Sequence, residues 1–292
     1  MEENDQPAPR PFMNFGPGMR AILLLALYFS CVGIYTMLAR SSSLAWLDAG
    51  PDSGYSLTYA MLGLAIGSVL FFAVPAIIYA NVFPQERFAF FRLNKPVLPG
   101  ALIFGALAMI VLIPGIDQVA TWISQSITDP DLQSFEEAVQ KQNDWFLQMP
   151  AFGDLMLCLL VNALIPAVCE ELFFRAGIQQ ILMESARNIH IPIVSTALIF
   201  AFMHFNVSGG ALIFLAGLML GYAFYWTGSL RLTIVMHFFF NAISIIESYI
   251  AQHNSSFAKW EPGIPVVITS FAASAGFFYL TWKSSRKVIG NW

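Results

Sequence analysis

The stretch LMLCLLVNALIPAVCEELFFRAGIQQILM, residues 155–183, has the make-up of a membrane-crossing helix, yet it carries Glu170, Glu171 and Arg175 within six residues. A helix needs about 20 apolar residues to cross roughly 30 Å of hydrocarbon. The part after Arg175 contains no proline and a single tolerable glycine, so the helix is expected to continue to about Glu184. Ionisable side chains in such a run are expensive. They face a protein interior or a watery cavity and are functional candidates by default.

The rest of the chain matches this reading. Of its 292 residues 57% are hydrophobic and 11% charged, and mean hydropathy is +0.65, against roughly 25% charged residues in a soluble domain. Further apolar stretches lie at 21–39, 57–80, 101–116, 191–205, 211–226, 232–246 and 264–282. The fold expected is all-α: a polytopic integral membrane protein with about eight transmembrane helices around a polar catalytic cavity, the third, fifth and seventh spans being short. Residues 1–20 read as a disordered cytoplasmic tail, 21–282 as one transmembrane domain and 283–292 as a basic cytoplasmic tail. The run after Arg20 is too long for a signal-peptide core and lacks a clear cleavage site, so the N-terminus is expected to be retained.

Lys and Arg set the orientation, because their excess marks the cytoplasmic side. With eight spans, eleven of the fourteen fall on the side of the termini: Arg10, Arg20, Arg87, Arg92, Lys95, Arg175, Arg187, Arg231, Lys283, Arg286 and Lys287. Only Arg40, Lys141 and Lys259 fall opposite. Both termini are therefore expected in the cytoplasm, with the protein in a bacterial inner membrane. Membrane lipid and a peptide or membrane-anchored protein substrate are the expected partners. No phosphate-binding glycine loop or nucleic-acid patch is present, and the oligomeric state is open.

The connection at 117–153 is acidic, with an apolar stripe of Leu132, Phe135, Val139, Trp145 and Phe146, and reads as an interfacial helix on the membrane. Cys31, Cys158 and Cys169 all lie in apolar runs and read as small core residues.

The polar residues inside spans are few. Glu171 and Arg175 are i and i+4 on one helix face, glutamate first, the better order for an ion pair; they read as a structural anchor. Glu170 lies about 100° around the helix and cannot share that partner in the same geometry, which leaves a carboxylate suited to general-base work. His237 and Asn241, in MHFFFN, again i and i+4, present an imidazole and an amide suited to a developing oxyanion. His204 closes FAFMHF on the fifth span, and Glu247 lies near the outer end of the seventh. At about 1.5 Å per residue, Glu170 and His204 match in depth at roughly 20 Å, whereas His237 comes out near 9 Å, a mismatch.

Three motifs stand in order: Glu170-Glu171-Leu-Phe-Phe-Arg175, Phe200-Ala-Phe-Met-His204 and His237-Phe-Phe-Phe-Asn241. Over about 153–250 the chain resembles the CPBP family, intramembrane proteases related to the eukaryotic CaaX prenyl endopeptidase and to bacterial bacteriocin-processing and immunity proteins. Ala176 departs from the glycine that often follows the arginine. The resemblance implies an endopeptidase in which Glu170 with His204 activates water while His237 and Asn241 stabilise the oxyanion, with no cofactor required. Family naming also implies a zinc alternative, with Glu170, His204 and His237 as ligands. Against zinc, no His-Glu-x-x-His is present and Asn241 is a poor fourth ligand. NVSGG at 206–210 lacks the first glycine of a Gly-x-Ser-Gly protease motif. A non-enzymatic immunity scaffold or transporter is the rival class. The substrate, whether a CaaX-like prenylated tail, a membrane-anchored regulator or a bacteriocin leader, is open.

Overall fold

A computed structural model describes residues 15–41, 43–82, 90–258 and 262–285. The tail before residue 15 and that after Ser285 lie outside the described residues, as do Arg10, Arg87, Lys259, Arg286 and Lys287. The described chain is helical throughout, with α1 Pro17–Ala39, α2 Leu57–Val82, α3 Pro99–Ser126, α4 Pro130–Phe146, α5 Phe152–Met183, α6 His190–Phe202, α7 Gly210–Thr227, α8 Leu230–His253 and α9 Ile264–Ser285. Seven of these are long and apolar enough to cross a membrane; α6 is not. About eight were expected; among the described residues seven are full-length and the eighth, α6, is a short apolar helix of 13 residues, about 20 Å long.

The third and seventh spans are longer than hydropathy implies, at 28 and 24 residues. Polar residues end an apolar run but do not end a helix, because backbone bonding continues regardless of side-chain polarity. The first ten residues of the 117–153 connection accordingly belong to α3. Next comes α4, capped by Asp129 Oδ1, which accepts from Asp131 N at 3.1 Å and Leu132 N at 3.0 Å. α4 has no buried residue. Leu132 and Phe135 of its stripe stay exposed, and Phe146 packs against a cluster that includes Met61, Met149 and Leu155.

Prolines shape three spans without ending them. In α2 a wide π-type turn at Val69–Ala73 stands just before Pro75, and in α5 one at Leu159–Leu164 stands just before Pro166. Proline cannot donate to the i−4 carbonyl and clashes with it, so the preceding turn widens. Pro114 lies inside α3. There Ser270 of α9 bridges the weakened turn, accepting from Gly115 N at 3.1 Å and donating to Val111 O, while Ser274 donates to Ala108 O at 2.8 Å. In hydrocarbon a freed backbone group must find such a partner within the protein.

Loop contacts sort the ends of the helices onto two faces. On one, Lys141 Nζ meets Asp52 Oδ2 at 2.6 Å, Glu136 holds the 207–208 backbone, and Gln252 bridges Met149 N and Leu147 O. On the other, Arg20 pairs with Glu184 and Ser229 Oγ donates to Lys95 O at 3.0 Å. Short as it is, α6 runs from one face to the other, since Glu184 precedes it and Ser208 lies beyond its end.

The α5–α7 seam depends on small residues. Arg175 and Gln179, one turn apart on α5, donate to Gly217 O at 3.3 Å and Gly221 O at 2.8 Å, one turn apart on α7. A Cβ at Gly221 would stand 2.8 Å from Ile193 Cγ2 and 3.1 Å from Gln179 Oε1. Gly221→Ala is therefore expected to lower stability by about 1–3 kcal/mol through overpacking, read as an earlier thermal unfolding midpoint in detergent. Gly276→Ala, where nothing stands within 4 Å, should not move the midpoint downward.

Candidate active site

Glu171 and Arg175 follow the helical spacing: Oε1 and Nη1 are 2.9 Å apart, and neither side chain has exposed surface. Within α5, Glu171 immediately precedes and Arg175 lies inside the helix's second wide turn, Leu172–Gln179, the kind of helical irregularity that recurs at functional sites. The Arg175 guanidinium also stacks on Phe200, with Cζ 4.7 Å from the ring centroid.

The same Glu171 Oε1 lies 3.0 Å from His237 Nδ1. The ion pair with Arg175 keeps Glu171 an acceptor, so Nδ1 carries the ring proton and Nε2 is directed the other way. Nε2 is 3.8 Å from Glu170 Oε2, and that oxygen accepts no hydrogen bond among the described residues. The adjacent glutamates therefore do different things. Glu171 orients the imidazole from within the protein, and Glu170 stands beside its other nitrogen.

His204 lies just beyond α6, in the turn Met203–Phe205, and not on the span where the hydropathy run put it. Phe205 takes the left-handed conformation (φ 47°), which a bulky residue seldom adopts. His204 Nδ1 donates to Phe200 O at 2.7 Å, since a carbonyl can only accept, and its Nε2 is left as the free nitrogen. Phe200 thus explains its place in the motif. Its carbonyl holds His204, while its ring lies 4.6 Å from the His204 ring, 5.7 Å from that of His237 and against Arg175.

The depth mismatch is resolved by a recessed hairpin. Ser229 and Leu230 are fully buried and Thr227 nearly so, with Gly228 in the left-handed region (φ 59°) closing α7. α8 therefore starts inside the protein, and a count from the membrane surface underestimates the depth of His237.

Glu170, His204, His237 and Asn241 line one cavity of about 600 Å³. Asn162 and Ser244 line it too. Asn162 was legible, lying two turns from Glu170 on the same face of α5, but an uncharged amide in a span carries a weaker signal than a carboxylate. Glu136 was not legible. It lies 71 residues from Val207 and fixes the turn after His204, accepting from Val207 N at 2.9 Å and from Ser208 N and Oγ at 3.3 and 2.6 Å. Glu247 does not line the cavity and stands near Asp117. Cys31, Cys158 and Cys169 are free. Among the described residues no three His, Cys, Asp or Glu side chains converge closely enough to hold one metal ion, so Glu170, His204 and His237 do not fit a zinc centre in this arrangement.

Residues 152–243 match the family described as Type II CAAX prenyl endopeptidase Rce1-like. No curated protein and no solved structure matches the chain. The matched region runs from the start of α5 into α8 and takes in all three motifs and every side chain of the Glu171–Arg175–His237 network. Over residues 152–243 the chain is thus similar to the Rce1-like type II CAAX prenyl endopeptidases, within an all-α protein that has seven helices long and apolar enough to cross a membrane among its described residues.

Proposed function

We propose that the chain hydrolyses a peptide bond of a membrane-associated polypeptide with a water activated by Glu170 and His204. The observation that carries this is the single cavity lined by Glu170, His204, His237 and Asn241 together. Glu170 takes one water proton, while His204 Nε2, which the Phe200 contact leaves free, accepts a hydrogen bond from the other O–H and orients the water. The resulting hydroxide adds to the scissile carbonyl carbon. The oxyanion accepts from the Asn241 amide and from His237 Nε2 when that ring is doubly protonated, with Glu171 as its counter-charge. Collapse breaks the C–N bond, and Glu170 returns its proton to the departing amine. No step needs a metal ion.

The two glutamates should separate by phenotype. Glu170→Gln is expected to give a folded protein that unfolds at the parental temperature in detergent but cuts nothing. Glu171→Gln should lower stability by about 3–5 kcal/mol, because Arg175 is left as an uncompensated buried charge. Equal loss of stability in both, with cleavage retained in Glu170→Gln, would refute this division. Comparing membrane proteomes from cells expressing wild type and Glu170→Gln supplies the substrate for kinetics.

With that substrate, Asn241→Ala should lower kcat by roughly 10²–10³ at nearly constant KM, as for removal of a donor that acts only on the transition state. Elemental analysis provides an independent check. One zinc per wild-type chain, lost in Glu170→Gln, His204→Ala and His237→Ala but kept in Asn241→Ala, would overturn the metal-free chemistry.

A further inference from the structure

We infer that the cavity is served from the face opposite the termini, so that the protease takes its substrate segment from the extracytoplasmic side of the membrane. This rests on the cavity being the place of cleavage. Glu170 and His237 form its floor, at 9% and 3% exposure. From there the lining passes along Asn241 and Ser244 of α8 and along Asn162, about 12 Å up α5 from Glu170, to Gln140 and Asn143 of α4, which are exposed. α4 is tied to its surroundings by Lys141–Asp52 and Glu136–Ser208, contacts that belong to the face remote from Arg20, Glu184 and Lys95.

Towards the opposite face the way is closed. Beyond Glu170, residues 173–179 of α5 are all buried. Phe173, Phe174 and Ile178 pack with Leu24, Tyr79 and Phe200, and Arg175 and Gln179 are bonded to α7. A polypeptide cannot thread a packed core of this density.

Charge assigns the compartments. Among the described residues, Arg20, Arg92, Lys95, Arg187, Arg231 and Lys283 fall to the closed side and Arg40 and Lys141 to the other, with Arg175 buried between them; the excess marks the cytoplasmic face, whereas α4 at the mouth carries Asp131, Glu136, Glu137 and Asp144 against Lys141 alone. The substrate is therefore a membrane-anchored polypeptide with its scissile segment exposed outside the cytoplasm. A tail confined to the cytoplasm, prenylated or not, does not reach Glu170.

Thiol accessibility tests this without requiring catalysis. In full-length protein with Cys31, Cys158 and Cys169 replaced by alanine, single cysteines are placed in the cavity (Ser244→Cys and, from a second helix, Asn162→Cys), at its mouth (Asn143→Cys) and on the closed face (Arg187→Cys). A charged, membrane-impermeant methanethiosulfonate is then applied to spheroplasts and to inverted vesicles. The cavity and mouth cysteines should react in spheroplasts and be protected in inverted vesicles, and Arg187→Cys should do the reverse. Cavity cysteines that react only from the Arg187 side, a reversal of all four, or cavity cysteines inert from both sides would each overturn the proposal. If the labelling is as expected but Glu170→Gln still cleaves, the cleavage reading fails while the direction of access stands.

Discussion

A guanidinium with no exposed surface is the constraint on which the rest of this structure depends. A buried cation is tolerated only when its surroundings supply charge and acceptors in good geometry. Arg175 obtains a carboxylate from its own helix, a carbonyl from Gly217 of α7 and the face of Phe200 from α6. Through Glu171 the same network holds His237 of α8. One charge thereby sets the mutual placement of four helices, because any other arrangement would leave it unpaired in an apolar interior. The network also imposes a small-residue seam, since only glycine at 217 and 221 lets α7 come close enough for its carbonyls to be used.

Departures from regular helix are what turn this anchor into a site. The wide turn after Glu171 carries Arg175 and Gln179 towards α7, and the recessed α7–α8 hairpin lowers His237 to the depth of Glu170. α6 ends early, so His204 comes from a turn held by Phe200 on one side while Glu136 fixes the residues beyond it. Nδ1 of His204 and of His237 is bonded within the protein, while Glu170 Oε2 accepts no hydrogen bond among the described residues. The proposed acid–base and oxyanion chemistry would use this preorganisation. Phe200 links the two halves of the site, since its carbonyl, its ring edge and its ring face each serve a different partner.

Much of this was legible in the residues alone, because helical periodicity in hydrocarbon leaves little freedom. The i, i+4 spacing of Glu171 and Arg175 required an ion pair, the offset of Glu170 required a different environment, and the scarcity of ionisable groups inside spans singled out His204 and His237. Composition and the length of the apolar runs determined an all-α membrane protein, and three ordered motifs pointed to the family. Hydropathy could not determine where helices stop, since that depends on caps, prolines and turns. It therefore overestimated α6, underestimated α3 and α8, and put His237 too near the surface. Tertiary structure alone decided that His237 joins both glutamates, that Glu136 reaches across 71 residues to the turn after His204, and that the cavity opens beside α4. Contacts between residues distant in sequence have no period to be read from; they are set by the closure of buried charge and the packing of neighbouring helices.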